Sequence, residues 1–541
     1  MQTEPSSGLR IQAGDARAHA SHNSCVMRAI DLFDHGCRIS SNGVCFRDGD
    51  SAYSFQEVAD LTHRVANGLH AAGLRRGARV AIYSPNDVFA FAAMLGVFRA
   101  GCVWLPVPIR HVLAENLAFL VENECEFLFI HTSLAKDIPA IRRSVPGLRN
   151  VVMVDAPSAQ VPSLCEWAGA FPASFPDDDH GPEDLAWIKT TGGTTGRPKN
   201  VMVCHRNVAA IVTTFHVCMP LAQPHINLMA VPMTHGAGNV ALATLAMGGT
   251  VVNLRRAEPR AVIDAMERYR ITTLFLPPTV IYSLLSEPDI RSRDFSSLRY
   301  FLYAAAPMSV NKLQEAIEVF GPVMAQCWGQ TEASLILTYL APHEHFEDGR
   351  ISETRLKSCG RPTLTTRVEV MNDSGDLLPA GEIGELVVRG ALVAKGYLNR
   401  PEEDAAMRQY GWHHTGDIGY RDSAGYVYIV DRKKDMIISG GFNIYPSEIE
   451  QVLWRHPAVI DCAVIGVPDD KWGESVKAIV ELKSGHVATD TELQAYCRAE
   501  LGAMKTPKSV EIWPTLPRSH VGKVLKREIR ERFWHGFDRL I

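Results

Sequence analysis

Residues 185–199 read LAWIKTTGGTTGRPK, and the apolar start of this stretch, residues 185–188, predicts a β-strand that runs into a loop rich in glycine and threonine. The glycines let backbone N–H groups approach an anion closely, the threonines add hydroxyl donors, and Lys199 adds a positive charge. The stretch is therefore a candidate phosphate loop, although its composition alone is equally compatible with a plain loop. It is not a Walker loop, because no Lys-Ser or Lys-Thr pair follows its last glycine.

Outward from this loop, short apolar strands alternate with helices. Strands are predicted at residues 79–83 and 102–105 on either side of a helix at residues 87–100, and a strand at residues 271–276 precedes a helix at residues 279–285. This alternation predicts an α/β fold, with a large N-terminal domain built from parallel αβ layers.

The pattern changes after about residue 363. Residues 368–371 and 384–389, separated by a turn, predict antiparallel strands, and residues 426–430 add another, which indicates a small β-subdomain. The charged run DRKKD at residues 431–435 is the candidate linker. Helices and strands predicted beyond it indicate a small α+β C-terminal domain. We therefore expect a large domain at residues 25–431 and a C-terminal domain at residues 432–541.

Composition excludes several classes of protein. A chain of 541 residues exceeds the size at which one hydrophobic core stops growing. The formal net charge of −5 argues against a nucleic-acid binder held by a broad basic surface. No apolar signal segment and no stretch long enough to span a bilayer is present, and the scattered cysteines contain no CxxC pair, so we expect free thiols in a soluble, cytoplasmic protein.

Further motifs follow the loop in a fixed order. They are PMTHGAG (232–238), YAAAP (303–307), WGQTE (328–332), WHHTGD (412–417), DRKKD (431–435), SGGFN (439–443) and PRSHVGK (517–523). Together with the loop they resemble the signatures of the adenylate-forming superfamily, which includes acyl-CoA synthetases, peptide-synthetase adenylation domains and luciferases. The resemblance covers roughly residues 30–530 and is greatest to the acyl-CoA synthetase branch. Departures from the usual pattern are Gly192 for Ser, Asn200 for Gly, Trp328 for Tyr and Ala304 for Gly.

The resemblance implies a role for each matched residue. Glu332 would hold Mg²⁺, which prefers hard oxygen ligands, and Thr331 would donate to the α-phosphate. Lys523 would place its ammonium where charge gathers during adenylation. The residues implied to bind ATP or AMP are Thr191, Gly192, Gly193, Thr194, Thr195, Gly196, Lys199, Ala305, Ala306, Pro307, Trp328, Gly329, Gln330, Asp417 and Arg432.

The acyl and coenzyme sides follow from the same resemblance. His235 would act in catalysis as a gate on the acyl pocket. Lys434 would be the hinge on which the mobile C-terminal domain turns relative to the adenylation domain. The residues implied to contact CoA are Gly440, Gly441, Phe442 and Trp472. Small apolar residues at 236–243 and 304–306 predict a roomy hydrophobic pocket, and no Lys or Arg close to them in sequence suggests a second carboxylate on the acid.

These inferences predict an AMP-forming acyl-CoA synthetase that joins a fatty, alicyclic or aryl acid to CoA, with ATP and CoA as co-substrates and Mg²⁺ as cofactor. An enzyme that loads a carrier protein, or a luciferase-like oxidase, remains an alternative. A nucleotide-binding sensor without activity is disfavoured, because Glu332, Asp417 and Lys523 are all present. The expected partners are small molecules, and a homodimer is compatible with the sequence.

Overall fold

The computed structural model describes residues 27–158, 160–176, 180–191, 199–518 and 524–534. Its α-helices are α1 (Ala29–Ser40), α2 (Phe55–Ala71), α3 (Val88–Arg99), α4 (Leu113–Glu122), α5 (Ile138–Ser144), α6 (Leu164–Gly169), α7 (His205–Cys218), α8 (Gly236–Ala246), α9 (Pro259–Arg268), α10 (Pro278–Leu285), α11 (Val310–Phe320), α12 (Pro401–Met407), α13 (Pro446–Leu453), α14 (Asp490–Lys505) and α15 (Lys526–Glu531).

The strands of the two large sheets and of a short hairpin are β1 (Val44–Asp48), β2 (Ser51–Ser54), β3 (Arg79–Tyr83), β4 (Val103–Pro106), β5 (Phe127–Ile130), β6 (Asn150–Met153), β7 (Leu185–Thr190), β8 (Asn200–Cys204), β9 (Ile226–Met229), β10 (Thr250–Asn253), β11 (Thr273–Leu276), β12 (Tyr300–Tyr303), β13 (Met324–Trp328), β14 (Thr338–Leu340), β15 (Phe346–Glu347), β16 (Arg350–Ile351) and β17 (Arg361–Pro362). The remaining strands are β18 (Thr366–Met371), β19 (Gly384–Gly390), β20 (Gly396–Tyr397), β21 (His413–Arg421), β22 (Val427–Arg432), β23 (Ile437–Ser439), β24 (Phe442–Ile444), β25 (Val459–Asp469), β26 (Gly473–Leu482) and β27 (Ser509–Ile512).

Two largely parallel sheets form the N-terminal part. The first has the order β20-β8-β7-β4-β3-β5-β6, and the second has the order β17-β14-β13-β12-β11-β9-β10-β1-β2. Strands β3 to β6 pair in parallel within the first sheet, and β9 to β13 pair in parallel within the second. The predicted α/β fold with parallel layers is confirmed.

Helix α3 shows why the layers pack as they do. Its sequence VFAFAAMLGVFR is apolar almost all round, and nearly every residue in it is buried. Such a helix must lie between other elements rather than on the surface. Asp87 begins it by accepting hydrogen bonds from the backbone N–H groups of Phe89 and Ala90. The predicted helix at residues 87–100 is confirmed, and its side chains join the core shared by both sheets.

The β-subdomain and the C-terminal part follow in chain order. Strands β18-β19-β21-β22 form an antiparallel sheet, as predicted for this region, but β21 was not expected. The predicted linker at residues 431–435 was placed too early, because Asp431 and Arg432 complete β22 and pair with β21. Beyond them a sheet of order β24-β23-β26-β25, with β27 on β26, packs against α13, α14 and α15 around cores of its own.

Neither a membrane-spanning helix nor a disulfide occurs in the described ranges. No helix in them combines the length and the apolar character that crossing a bilayer requires. The cysteines within the same ranges form no disulfide, and most of them are buried, as expected for free thiols.

Candidate active site

A cavity of about 680 Å³ opens at the carboxyl ends of strands β4, β7, β12 and β13. Ligands of open α/β sheets bind at these ends, because helices begin there and loops leave room there. The wall contains ten of the residues that the sequence motifs single out. Those in the cavity lining are Thr191, Lys199, His235, Ala305, Gly329, Gln330, Thr331, Glu332, Arg432 and Lys434.

The root of the candidate phosphate loop is a hairpin. The predicted strand before it is confirmed as β7, which pairs antiparallel with β8 and brings Thr190 opposite Asn200. The backbone N–H of Thr191 donates to the carbonyl of Lys199 at 2.8 Å, and the N–H of Lys199 donates to Thr191 Oγ1 at 3.2 Å. The hairpin thus closes directly on the loop. The loop residues Gly192, Gly193, Thr194, Thr195 and Gly196 lie outside the described residues.

Glu332 is held at the cavity by a tyrosine that the sequence motifs do not contain. The hydroxyl of Tyr397 donates to Glu332 Oε1 at 2.7 Å, and Lys199 Nζ lies 4.8 Å from the centre of the Tyr397 ring. Burial, with the adjacent Glu332 charge, raises the pKa of Tyr397 well above its ordinary value, so this hydroxyl stays protonated and donates. The described residues contain no cluster of three His, Cys, Asp or Glu side chains that could hold a metal on their own.

Asp417 is the centre of a buried hydrogen-bond network. Its Oδ1 lies 2.5 Å from Arg432 Nε, directly across the β21–β22 pair. Its Oδ2 accepts from Trp328 Nε1 at 3.0 Å and from Gln330 Nε2 at 3.1 Å. The carboxylate is 3% exposed and lies behind the cavity wall that Gln330 and Arg432 form. Every partner is a donor, so this site is fixed before any ligand arrives.

The adenine-side segments lie immediately after two adjacent parallel strands. Ala305 follows β12 with a φ of +74°, an unusual left-handed conformation for alanine, and is exposed towards the cavity, whereas Ala306 and Pro307 are not part of its lining. Gly329 follows β13, where an added Cβ would lie 2.6 Å from the backbone nitrogen of Leu335. Only glycine fits there. Trp328 is buried, and its indole supports Asp417 rather than lining the cavity.

The acyl side begins at the start of α8. His235 precedes this helix, and its Nδ1 lies 2.8 Å from the Thr234 hydroxyl. Gly236, Phe275, Leu335 and Ala304 continue an apolar wall. No Lys or Arg lies close to these residues in sequence, but the fold brings Lys189, near the end of β7, into the lining of the same cavity.

The C-terminal part contacts the cavity through its last segment. Val524 and Leu525 line the cavity beside Lys434, and Val524 forms a β-bridge with Arg518. Lys523, which precedes Val524 in the chain, lies outside the described residues.

A buried charge cluster lies where the C-terminal part meets the β-subdomain. Lys526 Nζ lies 2.7 Å from Glu450 Oε1, and Arg530 pairs with Asp435 at 3.0 Å. Burial alone would lower the pKa of Lys526, but Glu450, Asp431 and Asp435 together raise it, so it stays charged. Asp431 belongs to β22 and accepts a hydrogen bond from the backbone N–H of Ser447 at 2.8 Å, which joins the C-terminal part to the end of the β-subdomain.

The residues implied to contact CoA lie together, but not in the cavity. The backbone N–H of Gly440 donates to the carbonyl of Trp472 at 2.9 Å, and an added Cβ on Gly440 would lie 2.6 Å from the Trp472 ring. Gly441 has a φ of +82° with open space where a side chain would be. Phe442 is 56% exposed and Trp472 is 45% exposed. We call these four residues the aromatic patch; none of them lines the cavity.

Two parallel αβ layers, an antiparallel β-subdomain and a small α+β domain closing over one cavity define the fold class of adenylate-forming enzymes. Residues 33–398 match the family described as AMP-binding enzyme, and residues 448–523 match the AMP-binding enzyme C-terminal domain. The chain belongs to this family, which confirms the resemblance found in the sequence.

Similar proteins differ in what their names say about the acyl acceptor. A feruloyl-CoA synthase from Amycolatopsis sp is 37% identical over 498 residues, which cover 92% of this chain and 97% of that protein. A fatty acid–[acyl-carrier-protein] ligase, ScoC, from Streptomyces coeruleorubidus is 32% identical and covers 90% and 93% respectively. The solved structure of the amide bond synthetase McbA from Marinactinospora thermotolerans superposes with a TM-score of 0.85 at 30% identity, covering 93% of this chain and all of that one.

Proposed function

We propose that this protein is an AMP-forming carboxylate–CoA ligase that acts on a hydrophobic fatty, alicyclic or aryl acid. The observation that supports this most strongly is the joint placement of Thr191, Lys199, Thr331 and Glu332 on one cavity with an apolar wall beside them. ATP and an acid can therefore share one space. The named CoA synthases among its relatives support CoA as the acceptor.

In the first half-reaction a carboxylate oxygen of the acid attacks the α-phosphorus of ATP, and pyrophosphate leaves. Thr331 would donate a hydrogen bond to the α-phosphate, and Asp417 with Arg432 would hold the ribose hydroxyls. The ammonium of Lys523, which precedes the cavity-lining Val524 in the chain, would stabilise the charge that gathers on the oxygens in the transition state. His235 would control access to the acyl pocket.

Mg²⁺ fits the residues that are present. Glu332 offers one hard-oxygen carboxylate at the cavity, oriented by Tyr397, and the lack of a three-residue cluster in the described ranges suits an ion that takes its other ligands from phosphate and water. The ion would neutralise phosphate charge when bound.

In the second half-reaction the CoA thiolate attacks the acyl carbon, and AMP leaves with the bonding electrons. The aromatic patch would guide the pantetheine, which requires a rotation about Lys434 because the patch now lies outside the cavity. We propose that residues 25–431 form the fixed domain and residues 432–541 the mobile one. Rotation would exchange Lys523 for Gly440 and Gly441 at the cavity.

The test is a screen for AMP release with ATP, Mg²⁺ and CoA over fatty, aryl and alicyclic acids, with the thioester identified by mass. We expect release that depends on CoA and is lost in Glu332→Gln, with the surface variant Lys312→Met as the control. Because a carrier-protein ligase is among the relatives, a second arm replaces CoA with a phosphopantetheinylated carrier protein. Acyl transfer to the carrier alone, or oxygen consumption by the adenylate, would overturn the CoA assignment.

A further inference from the structure

Lys189 places its amino group on the cavity wall, and no acidic partner lies beside it in the part of the chain that the structure describes. Its Nζ lies 4.3 Å from the ring centre of Trp187 and 5.4 Å from that of Trp104. Among the described residues this Nζ forms no ion pair and no hydrogen bond, and the adjoining loop segment GGTTGRP contains no acid. Burial lowers the pKa of Lys189 to about 7, and no neighbouring carboxylate offsets this effect.

Such a side chain lacks what an ammonium group requires. Two indole faces stabilise a cation electrostatically, but they accept none of its N–H donors as well as an oxygen does. Burying polar groups without hydrogen bonds is unfavourable. An oxygen atom of a bound ligand would complete the interaction, and the cavity is the space from which it can come.

The position of the Lys189 ammonium favours contact with an acid substrate over contact with the phosphates of ATP. The Lys189 side chain lies against Trp187 on β7 and Trp104 on β4, not at the other end of the phosphate loop. At that other end Lys199 lies over the ring of Tyr397, which is hydrogen-bonded to Glu332. The wall near Lys189 is formed by Pro106 and Trp187, with Asn239 of α8 adding a hydrogen-bonding amide to the same cavity.

We propose that Lys189 donates a hydrogen bond to a second oxygen group on the acid, a carboxylate, keto or phenol oxygen distant from the carboxylate that is activated. This inference rests on the proposed function and deepens it. The preferred acid then has an apolar skeleton that carries an oxygen substituent, rather than a plain saturated chain.

The experiment measures pyrophosphate exchange, which reports adenylation without regard to the acceptor, on matched acids. The pairs are octanoate with octanedioate, and cinnamate with 4-hydroxycinnamate and 4-carboxycinnamate. For the wild type we expect the oxygen-substituted member of at least one pair to have the higher kcat/KM. In Lys189→Met this advantage should fall by about 10- to 100-fold, mainly through KM, the scale of one charge-assisted hydrogen bond. Lys189→Arg should retain much of the advantage, and Lys312→Met is the matched surface control.

Each other outcome has a definite meaning. A loss in Lys189→Met that is equal within each pair, or a raised KM for ATP with all acids, would overturn the proposal, because Lys189 would then serve the reacting carboxylate or the phosphates. If thermal melting shows that Lys189→Met is unfolded, Lys189→Gln replaces it and must show the same selective loss. Exchange with unsubstituted acids but no preference for substituted ones refutes the inference and leaves the ligase function intact; no exchange with any acid refutes both.

Discussion

The nucleotide side of the cavity and the aromatic patch differ in how far they are built before any ligand binds. Around Asp417, three donors from three separate strands or loops converge on one buried carboxylate. The patch, by contrast, presents two exposed aromatic rings beside a glycine turn, away from the cavity. The first region is preorganised, whereas under the proposed mechanism the second works only after a rotation carries it to the cavity.

This difference has a physical reason. A site that stabilises developing charge gains most from dipoles that need no reorganisation, which favours a fixed and buried network. A coenzyme that must enter after pyrophosphate has left needs a path that opens later, which favours a surface on a movable domain. In the present orientation the backbone N–H of Ser447 donates to Asp431 at the end of β22.

Removal of the Asp417 carboxylate should cause the largest loss of activity, and the loss should be confined to adenylation. Asp417→Ala leaves Arg432, Gln330 and the Trp328 indole without their shared acceptor, so we expect kcat/KM for pyrophosphate exchange to fall by about 100-fold or more. The aromatic patch lies elsewhere and should keep its CoA affinity. Asp373→Ala, which removes an exposed partner of Lys433, is the control and should change exchange little. Equal losses in the two variants would contradict a special role for Asp417.

Truncating the aromatic patch should have the opposite pattern. In Phe442→Ala and in Trp472→Ala we expect the KM for CoA in thioester formation to rise about tenfold, the scale for losing an aromatic anchor at an interface. Pyrophosphate exchange should stay within about twofold of the wild type, since neither ring lines the cavity. Leu364→Ala, which truncates another exposed apolar side chain far along the chain, serves as the comparison. An unchanged KM for CoA would show that the aromatic patch does not bind CoA.

The smallest expected effect tests the fine positioning of Glu332. Tyr397→Phe removes one hydroxyl donor but keeps the ring that Lys199 contacts, so we expect the Mg²⁺ concentration for half-maximal exchange to rise about threefold to tenfold. Adding excess Mg²⁺ should restore the rate. Tyr53→Phe provides the control because its ring is remote from this cavity. A loss that Mg²⁺ does not rescue would mean that Tyr397 supports the fold instead.

The αβ layers could be predicted from the sequence because buried strands and helices such as α3 are continuous apolar segments that can be recognised locally. Strand β21 escaped prediction because three of its buried positions are the polar residues His413, Thr415 and Asp417, and their partners come from other segments of the chain. Tyr397 and Lys189 were missed for a related reason. Tyr397 contacts Glu332, which lies 65 residues earlier in the chain, and Lys189 contacts Trp104 on another strand, and no local pattern records such contacts.

The most direct test of the central claim, that one mobile domain serves two steps with two different surfaces, separates the half-reactions. Lys523→Ala and Gly441→Leu are each assayed for pyrophosphate exchange and for thioester formation from synthetic acyl-adenylate and CoA. Controls for the charge and for the strain of a side chain at positive φ are Lys483→Ala and Gly485→Leu on the same domain. The account predicts that Lys523→Ala loses exchange by about 10²-fold and keeps thioester formation, whereas Gly441→Leu shows the reverse. If the folded Lys523→Ala variant loses both activities equally, the account of a rotating domain is wrong.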